Sequence, residues 1–261
     1  MAAFDAQKAE IEAEQNVRPM IADVDELDSL IEEYVTGESK GFHDQLKGLR
    51  EKYMIRRIRG DGNCFYRAFL FAYLDMLLVG LGDEDKKASA GEELERFKGV
   101  ISNSLQDLVS VGYSEFAVET FYDLLTELLE QMPTMTRAAL LEEFQEGGNG
   151  DHITWYMRAL TAGYMKSHPD DYIPFIFAEG IYADISTFCA REVEPMGKEC
   201  EQVQITALTQ YLQVGVHITY VSGREGELPV THRMPEEGGV ARDFAVTLLY
   251  RPGHYDLLYA K

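Results

Sequence analysis

Met54-Ile55-Arg56-Arg57-Ile58-Arg59-Gly60-Asp61-Gly62-Asn63-Cys64-Phe65-Tyr66-Arg67-Ala68-Phe69 changes character twice along its length. The imperfect alternation of apolar and basic residues over 54–59 predicts a short strand. Gly60-Asp61-Gly62-Asn63 is a strong turn signal. Cys64 then opens a long apolar helix running through Val79. Strand, turn and helix in that order place Cys64 in the first helical turn. There, unpaired backbone N–H groups and the positive end of the helix dipole favour an anion, a thiolate included. Gly62 lets the chain bend sharply and leaves N–H groups free to face an oxyanion beside the sulfur. A buried, inert cysteine after an ordinary turn would have the same local sequence, so the reading needs a second half.

The last ten or so residues supply one. Arg251-Pro252-Gly253 reads as a turn, and His254 to Tyr259 as a final strand. Side chains two apart in a strand share a face, which puts His254 and Asp256 together. A carboxylate beside a histidine accepts one ring N–H, fixes the tautomer and leaves the other nitrogen for a thiol proton. Alone, the pair could be a surface histidine and aspartate on a terminal strand. Joined to Cys64, it completes the parts of a cysteine hydrolase: nucleophile, base and orienting carboxylate. Wide Cys–His separation in sequence is ordinary for that chemistry. Cys189, inside an apolar helix, and Cys200 read as passive thiols, and His217 as a structural strand residue.

Between the two motifs the chain is mostly helical. Leu94, Phe97, Ile101, Leu105 and Leu108 form an apolar stripe that Gly112 terminates. Further helices are expected over 116–132 (ended by Pro133), 136–146, 152–166, 184–193 and 202–212, with a polar loop over Gly80 to Gly91. After residue 213 the pattern turns to strands, at Val214 to Tyr220 and Phe244 to Tyr250. The fold class is therefore α+β, a helical body packed on a small, mostly antiparallel sheet. Residues 1–45 read as an acidic, helical N-terminal arm and 46–261 as the catalytic domain. Within 1–33, ten acidic residues face only Lys8 and Arg18. Ala6 to Glu14 reads as an exposed helix or mobile arm, and Leu27, Leu30, Ile31 and Tyr34 fall at helical spacing.

The 261 residues, 46% hydrophobic and 26% charged, suffice for a real core. Acidic side chains outnumber basic ones 45 to 24, for a formal charge of −21. That balance opposes binding to nucleic acid or to an anionic membrane surface and suits a partner with basic patches. Three cysteines without a CxxC pair make neither a disulfide framework nor a zinc site and fit a reducing compartment. The N-terminus lacks the features of a secretion signal. The most apolar stretch, Phe65 to Leu81, is interrupted by Arg67 and Asp75, short of a bilayer-spanning run.

The segment Gly60 to Phe69 resembles the nucleophile motif of the ovarian-tumour (OTU) class of deubiquitinating cysteine proteases. Tyr250-Arg251-Pro252-Gly253-His254-Tyr255-Asp256-Leu257-Leu258-Tyr259 resembles the closing motif of its otubain branch. Glu192 to Met196 and Leu94 to Lys98 are similar to otubain segments too, and the acidic arm is similar to that of the longer members. The resemblance implies a papain-like fold and hydrolysis of bonds to the C-terminal glycine of ubiquitin. Carried over residue by residue, it makes Cys64 the nucleophile, His254 the general base and Asp256 the group orienting His254. Asp61 belongs to the same motif, its loop building the oxyanion hole with the Cys64 N–H. No metal or organic cofactor is implied. Partners would be ubiquitin and polyubiquitin chains, lysine-48-linked ones preferred, in the cytoplasm or also the nucleus. Two alternatives stay open. One is a non-catalytic inhibitor that binds ubiquitin-charged conjugating enzymes and blocks chain synthesis. The other is a cysteine hydrolase acting on another modifier or a small thioester.

Overall fold

A computed structural model describes residues 17–35, 40–176, 181–235 and 244–261. The helix expected over 6–14 lies outside them. Six strands make one sheet: β1 (Ile21–Glu26), β2 (Tyr53–Ile58), β3 (Val216–Tyr220), β4 (Val230–Met234), β5 (Val246–Arg251) and β6 (His254–Ala260). Their spatial order is β1-β2-β6-β5-β3-β4. All pairings are antiparallel except β3 with β5.

The helices, in chain order, are α1 (Asp28–Ile31, extended by a 3₁₀ turn Glu32–Tyr34), α2 (Lys40–Lys47), α3 (Cys64–Gly82), α4 (Lys87–Ser110) and α5 (Glu115–Gln131). They continue with α6 (Arg137–Glu143), α7 (Gly150–Ser167), α8 (Pro169–Ile176), α9 (Ile185–Phe188, continued as a π-helical turn Cys189–Val193) and α10 (Gln202–Leu212). α3 is apolar all round, as a central helix must be, and fifteen of its nineteen residues are buried. It packs against β5 and β6 on one side and against α4, α6 and α7 on the others.

Strand parity explains why the sheet is covered on both faces. Ile218, Val246, Leu248 and Leu257 face the main helical core with Phe65, Phe69 and Leu74. Ile55, Leu249 and Leu258 point the other way and form a second core with Leu27, Leu30, Ile31 and Leu46. The stretch expected as an arm is thus divided. Residues 21–34 belong to the body: Ile21–Glu26 is the edge strand paired with β2, and α1 seals the sheet's second face. The sequence pattern does not reveal this strand because Ile21-Ala22-Asp23-Val24-Asp25-Glu26 is short and acidic, its burial confined to one end.

Two further expectations change. The polar loop over Gly80 to Gly91 shrinks to residues 83–86, with helix on either side. Gly80 is no breaker: a Cβ there would sit 2.7 Å from that of Ala90, so the glycine permits close contact between α3 and α4. The short helices α2 and α8 and the strands β1 and β4 were not anticipated. β4 is an exposed edge strand with little apolar alternation.

Candidate active site

The strand–turn–helix unit places Cys64 at the first residue of α3, with Asn63 at the N-cap position. An N-cap asparagine ordinarily accepts an N–H of the first turn, but this side chain makes no such bond. Asn63 Oδ1 instead accepts from the Gly197 N–H at 2.9 Å and from Arg158 at 2.9 Å. The first-turn N–H groups, starting with that of Cys64, therefore remain available to a negatively charged oxygen. Gly62 adopts φ +78°, and a Cβ on it would lie 2.1 Å from the Gly197 carbonyl oxygen, so no other residue fits.

Two buried arginines, neither singled out in the sequence, hold this loop. Arg67 forms a two-pronged bond to Asp61, at 3.0 and 2.7 Å, and reaches Asp151 at 3.0 Å. Asp61 also accepts the Asn63 N–H at 2.9 Å. Burial works to raise the Asp61 carboxyl, yet the Arg67 bonds and charge together with that N–H hold it below the usual carboxylate range. Asp61 thus shapes the turn from behind. Arg158 donates to the carbonyls of Val193 (3.0 Å), Gly62 (2.8 Å) and Lys198 (2.6 Å) and lies over the Tyr66 ring. It ties the nucleophile loop to the Glu194–Lys198 segment.

The β5–β6 hairpin brings the histidine. Pro252 and Gly253 (φ +76°) make the tight turn, and Arg251 pairs with His254 across it. His254 Nε2 lies 3.0 Å from Asp256 Oδ1, leaving Nδ1 for the sulfur. Burial opposes a charge on this ring, but the Asp256 carboxylate and then the Cys64 sulfur outweigh it and hold His254 up at about 9. The imidazolium is therefore the resting form at neutral pH.

Asp256 is completely buried. It accepts the Ile58 N–H at 2.9 Å and Arg251 at 2.6 Å, while Arg57 Nε stands 3.6 Å away. Burial alone would raise its carboxyl; His254, Arg251 and Arg57 pull it far below the ordinary range. Strand parity could have found these arginines once register was known. β2 runs antiparallel to β6 and β5 to β6, so Arg57, Arg251, His254 and Asp256 all project from one face.

Cys64, His254 and Asp256 thus meet, and Asp61 stands one step behind them. The remaining cysteines are remote in chemistry: burial pushes the Cys189 thiol up to about 12 and raises Cys200 further. A cavity of about 180 Å³ adjoins Cys64, lined by Glu199, Glu201, Tyr220, Tyr250 and Tyr255. A second, of about 320 Å³, borders His254 with Arg18, Glu33, Tyr34, Arg57 and Arg251. Such an arrangement can hold a thiolate–imidazolium pair, stabilise an oxyanion and return a proton to a leaving group.

Known proteins resemble this chain in sequence and fold. The family model described as Peptidase C65 Otubain matches residues 13–260. Human "Ubiquitin thioesterase OTUB1" is 39% identical over 257 residues, covering 97% of this chain and 88% of that protein. An Arabidopsis thaliana "OVARIAN TUMOR DOMAIN-containing deubiquitinating enzyme 1" is 34% identical, covering 93% of this chain and 81% of its own. The solved complex of ceOTUB1 with ubiquitin aldehyde and UBC13~Ub aligns with a TM-score of 0.84 at 30% identity, over 98% of this chain and 99% of that one. With sequence and fold in agreement, the chain belongs to the otubain family of C65 peptidases.

Proposed function

We propose that this chain is a cysteine-type deubiquitinase hydrolysing isopeptide bonds to the C-terminal glycine of ubiquitin. The observation that carries the proposal is the His254 ring, bonded to buried Asp256 and interacting with Cys64 at the mouth of α3. It is joined by the names of relatives such as human "Ubiquitin thioesterase OTUB1". In this reading the Cys64 thiolate attacks the glycine carbonyl. The first-turn N–H groups of α3 stabilise the oxyanion, each good donor contributing roughly 3–4 kcal/mol. His254 gives its proton to the departing lysine amine as the C–N bond breaks, leaving a thioester on Cys64. The neutral ring then takes a proton from water, whose oxygen attacks the thioester; the C–S bond breaks to sulfur, which releases the ubiquitin C-terminal carboxyl group and restores the thiolate and the imidazolium. Asp256 holds the ring and its charge throughout.

A ubiquitin probe ending in an electrophile tests the proposal. Covalent capture is expected on Cys64 and lost in Cys64→Ser, while probes made from related modifiers stay unreacted. Capture of another modifier with equal speed would reassign the substrate, and a Cys64→Ser protein that still cleaves di-ubiquitin would end the mechanism.

Two finer readings accompany it. Lysine-48-linked chains are the proposed preferred substrate, and a panel of the linkage types at equal concentration decides this. Residues upstream of Lys47 are proposed to engage the second ubiquitin, so removing 1–16 should weaken chain cleavage more than hydrolysis of a single ubiquitin ester. The setting is proposed to be cytoplasmic and nuclear, which cell fractionation checks. A second role is favoured by the neighbours' complexes, ceOTUB1 with UBC13~Ub and h/ceOTUB1 with UBCH5B~Ub. This chain is proposed to bind ubiquitin-charged conjugating enzymes as well. Cys64→Ala should then still block chain synthesis by such an enzyme.

A further inference from the structure

Asp256 is held by more than the histidine it orients. Its two arginines are themselves held from outside the motif by the 3₁₀ turn that follows α1. Arg57 makes a two-pronged pair with Glu33, at 2.9 and 3.3 Å, while standing 3.6 Å from Asp256. Arg251 donates to the Tyr34 hydroxyl at 2.7 Å while bonding Asp256 at 2.6 Å. All these groups lie on the sheet face that α1 covers, and Glu33, Tyr34, Arg57, Arg251 and His254 border one cavity.

Charge bookkeeping shows what the outer pair does. Asp256 and Glu33 carry two negative charges against the two positive charges of Arg57 and Arg251. The cluster is neutral and so adds no net charge beside the His254 ring. Without Glu33, Arg57 would bring an uncancelled positive charge against the carboxylate that supports His254. Among the described residues, Arg18 borders the same cavity and the Glu199 carboxylate approaches Gly253.

We propose that Glu33 and Tyr34 are positioning residues of the active site, fixing the two arginines on Asp256 and so setting the charge state of His254. The N-terminal segment then acts on catalysis from within the body of the enzyme, apart from any contact it makes with a second ubiquitin. The inference rests on His254 being the catalytic base.

The test is the pH profile of kcat/KM on a fluorogenic ubiquitin amide for the full chain, Glu33→Gln and Tyr34→Phe. Glu84→Gln, an exposed acid on the α3–α4 connection, serves as the charge control. Because Glu33 is 44% exposed, its influence is screened, and Glu33→Gln should move the alkaline limb down by about half a pH unit. Activity above the limb then falls about threefold relative to wild type. Added salt, which screens the freed Arg57, should narrow the difference. Tyr34→Phe should lower kcat with KM unchanged. The control should do neither. Thermal unfolding and an NMR titration of the His254 ring accompany each variant. A limb and a ring titration both unmoved in Glu33→Gln, or a uniform loss at every pH that follows the melting temperature, would overturn the proposal. If the wild type itself leaves the ubiquitin substrate intact, the functional reading fails, and the ring titration still judges Glu33 separately.

Discussion

Replacing Asp256 by Asn is the most demanding test of the site, because one atom's change removes the charge on which three cations converge. In the native protein the Asp256 carboxylate holds His254 up at about 9, so the imidazolium dominates at pH 7.5. The amide of the Asp256→Asn variant could still accept one bond, but its neutrality removes the largest favourable influence on that charge and leaves burial to oppose it. Arg251 and Arg57 would add repulsion. With the ring at or below about 6.5, the imidazolium fraction at pH 7.5 is about 9% or less. The shift, about 2.5 pH units or more, corresponds to roughly 3.4 kcal/mol of lost support for the charged form. We expect kcat/KM on a fluorogenic ubiquitin amide to fall tenfold or more at pH 7.5. The alkaline limb should move from about 9 to below 7. Stability should fall too, by about 3–5 kcal/mol, because two guanidinium groups lose their buried partner. The assay is therefore run well below the variant's melting temperature, with folding followed by circular dichroism. A folded Asp256→Asn protein whose alkaline limb stays near 9 would refute the reasoning, since the carboxylate would then not be what holds the ring charged.

Three other outcomes follow from the same geometry. Gly62→Ala forces a side chain into φ +78° and against the Gly197 carbonyl. It should cost at least about 1–3 kcal/mol in urea denaturation and slow probe capture more than it lowers ubiquitin affinity. Arg158→Met leaves the carbonyls of Val193, Gly62 and Lys198 without this donor and Asn63 Oδ1 with the Gly197 N–H alone, for an expected loss of about 3–5 kcal/mol, read from the denaturation midpoint. Stability should also depend on pH through Asp256 and His254. The Asp256 contribution is present above its unfolded value of about 3.9 and is lost as pH falls below it; the His254 contribution is full below about 6.5 and is lost as pH rises through about 9. Melting temperatures should therefore peak between about pH 4 and 6.5 and fall on both flanks, and Asp256→Asn should flatten both.

How much of this was legible beforehand follows from the range over which each signal acts. The Gly60–Cys64 turn and the Pro252–Gly253 hairpin are local, and Gly, Asn and Pro report φ requirements that any neighbours would impose. Cys64, His254 and Asp256 could be named for that reason. Asp61 could be attached to the loop but not given its task, because Arg67, its partner, sits in an apolar helical run where a charge looks like an interruption. Arg158 is harder still: three of its four acceptors are backbone carbonyls of distant segments, which have no residue signature. Arg57 was visible as a basic residue in a strand and Arg251 was read as part of a turn, but it closes β5, and only register puts both on the face of Asp256. β1 was lost for a related reason. An acidic edge strand takes its stability from backbone pairing with β2, and the alternation of its own side chains records little of that.

The choice of arginine at these points follows from the geometry that must be met. Arg67 and Arg158 are wholly buried, and Arg251 is 8% exposed. A buried cation is tolerable only if several acceptors surround it in the right directions. The planar guanidinium offers five donors in a fixed fork, whereas an ammonium is a point charge on a flexible stem that loses its proton more readily when desolvated. Arg158 reaches four oxygens from three segments, and Arg67 grips both oxygens of Asp61 before turning to Asp151. A lysine could satisfy only part of either set. Each arginine therefore acts as a joint, converting the positions of remote chain segments into the position of one part of the Cys64–His254–Asp256 cluster. In a chain with charge −21, carboxylates to balance such cations are plentiful. Arg67 and Arg251 use them, on Asp61, Asp151 and Asp256, whereas Arg158 holds the nucleophile loop through carbonyl and amide oxygens alone.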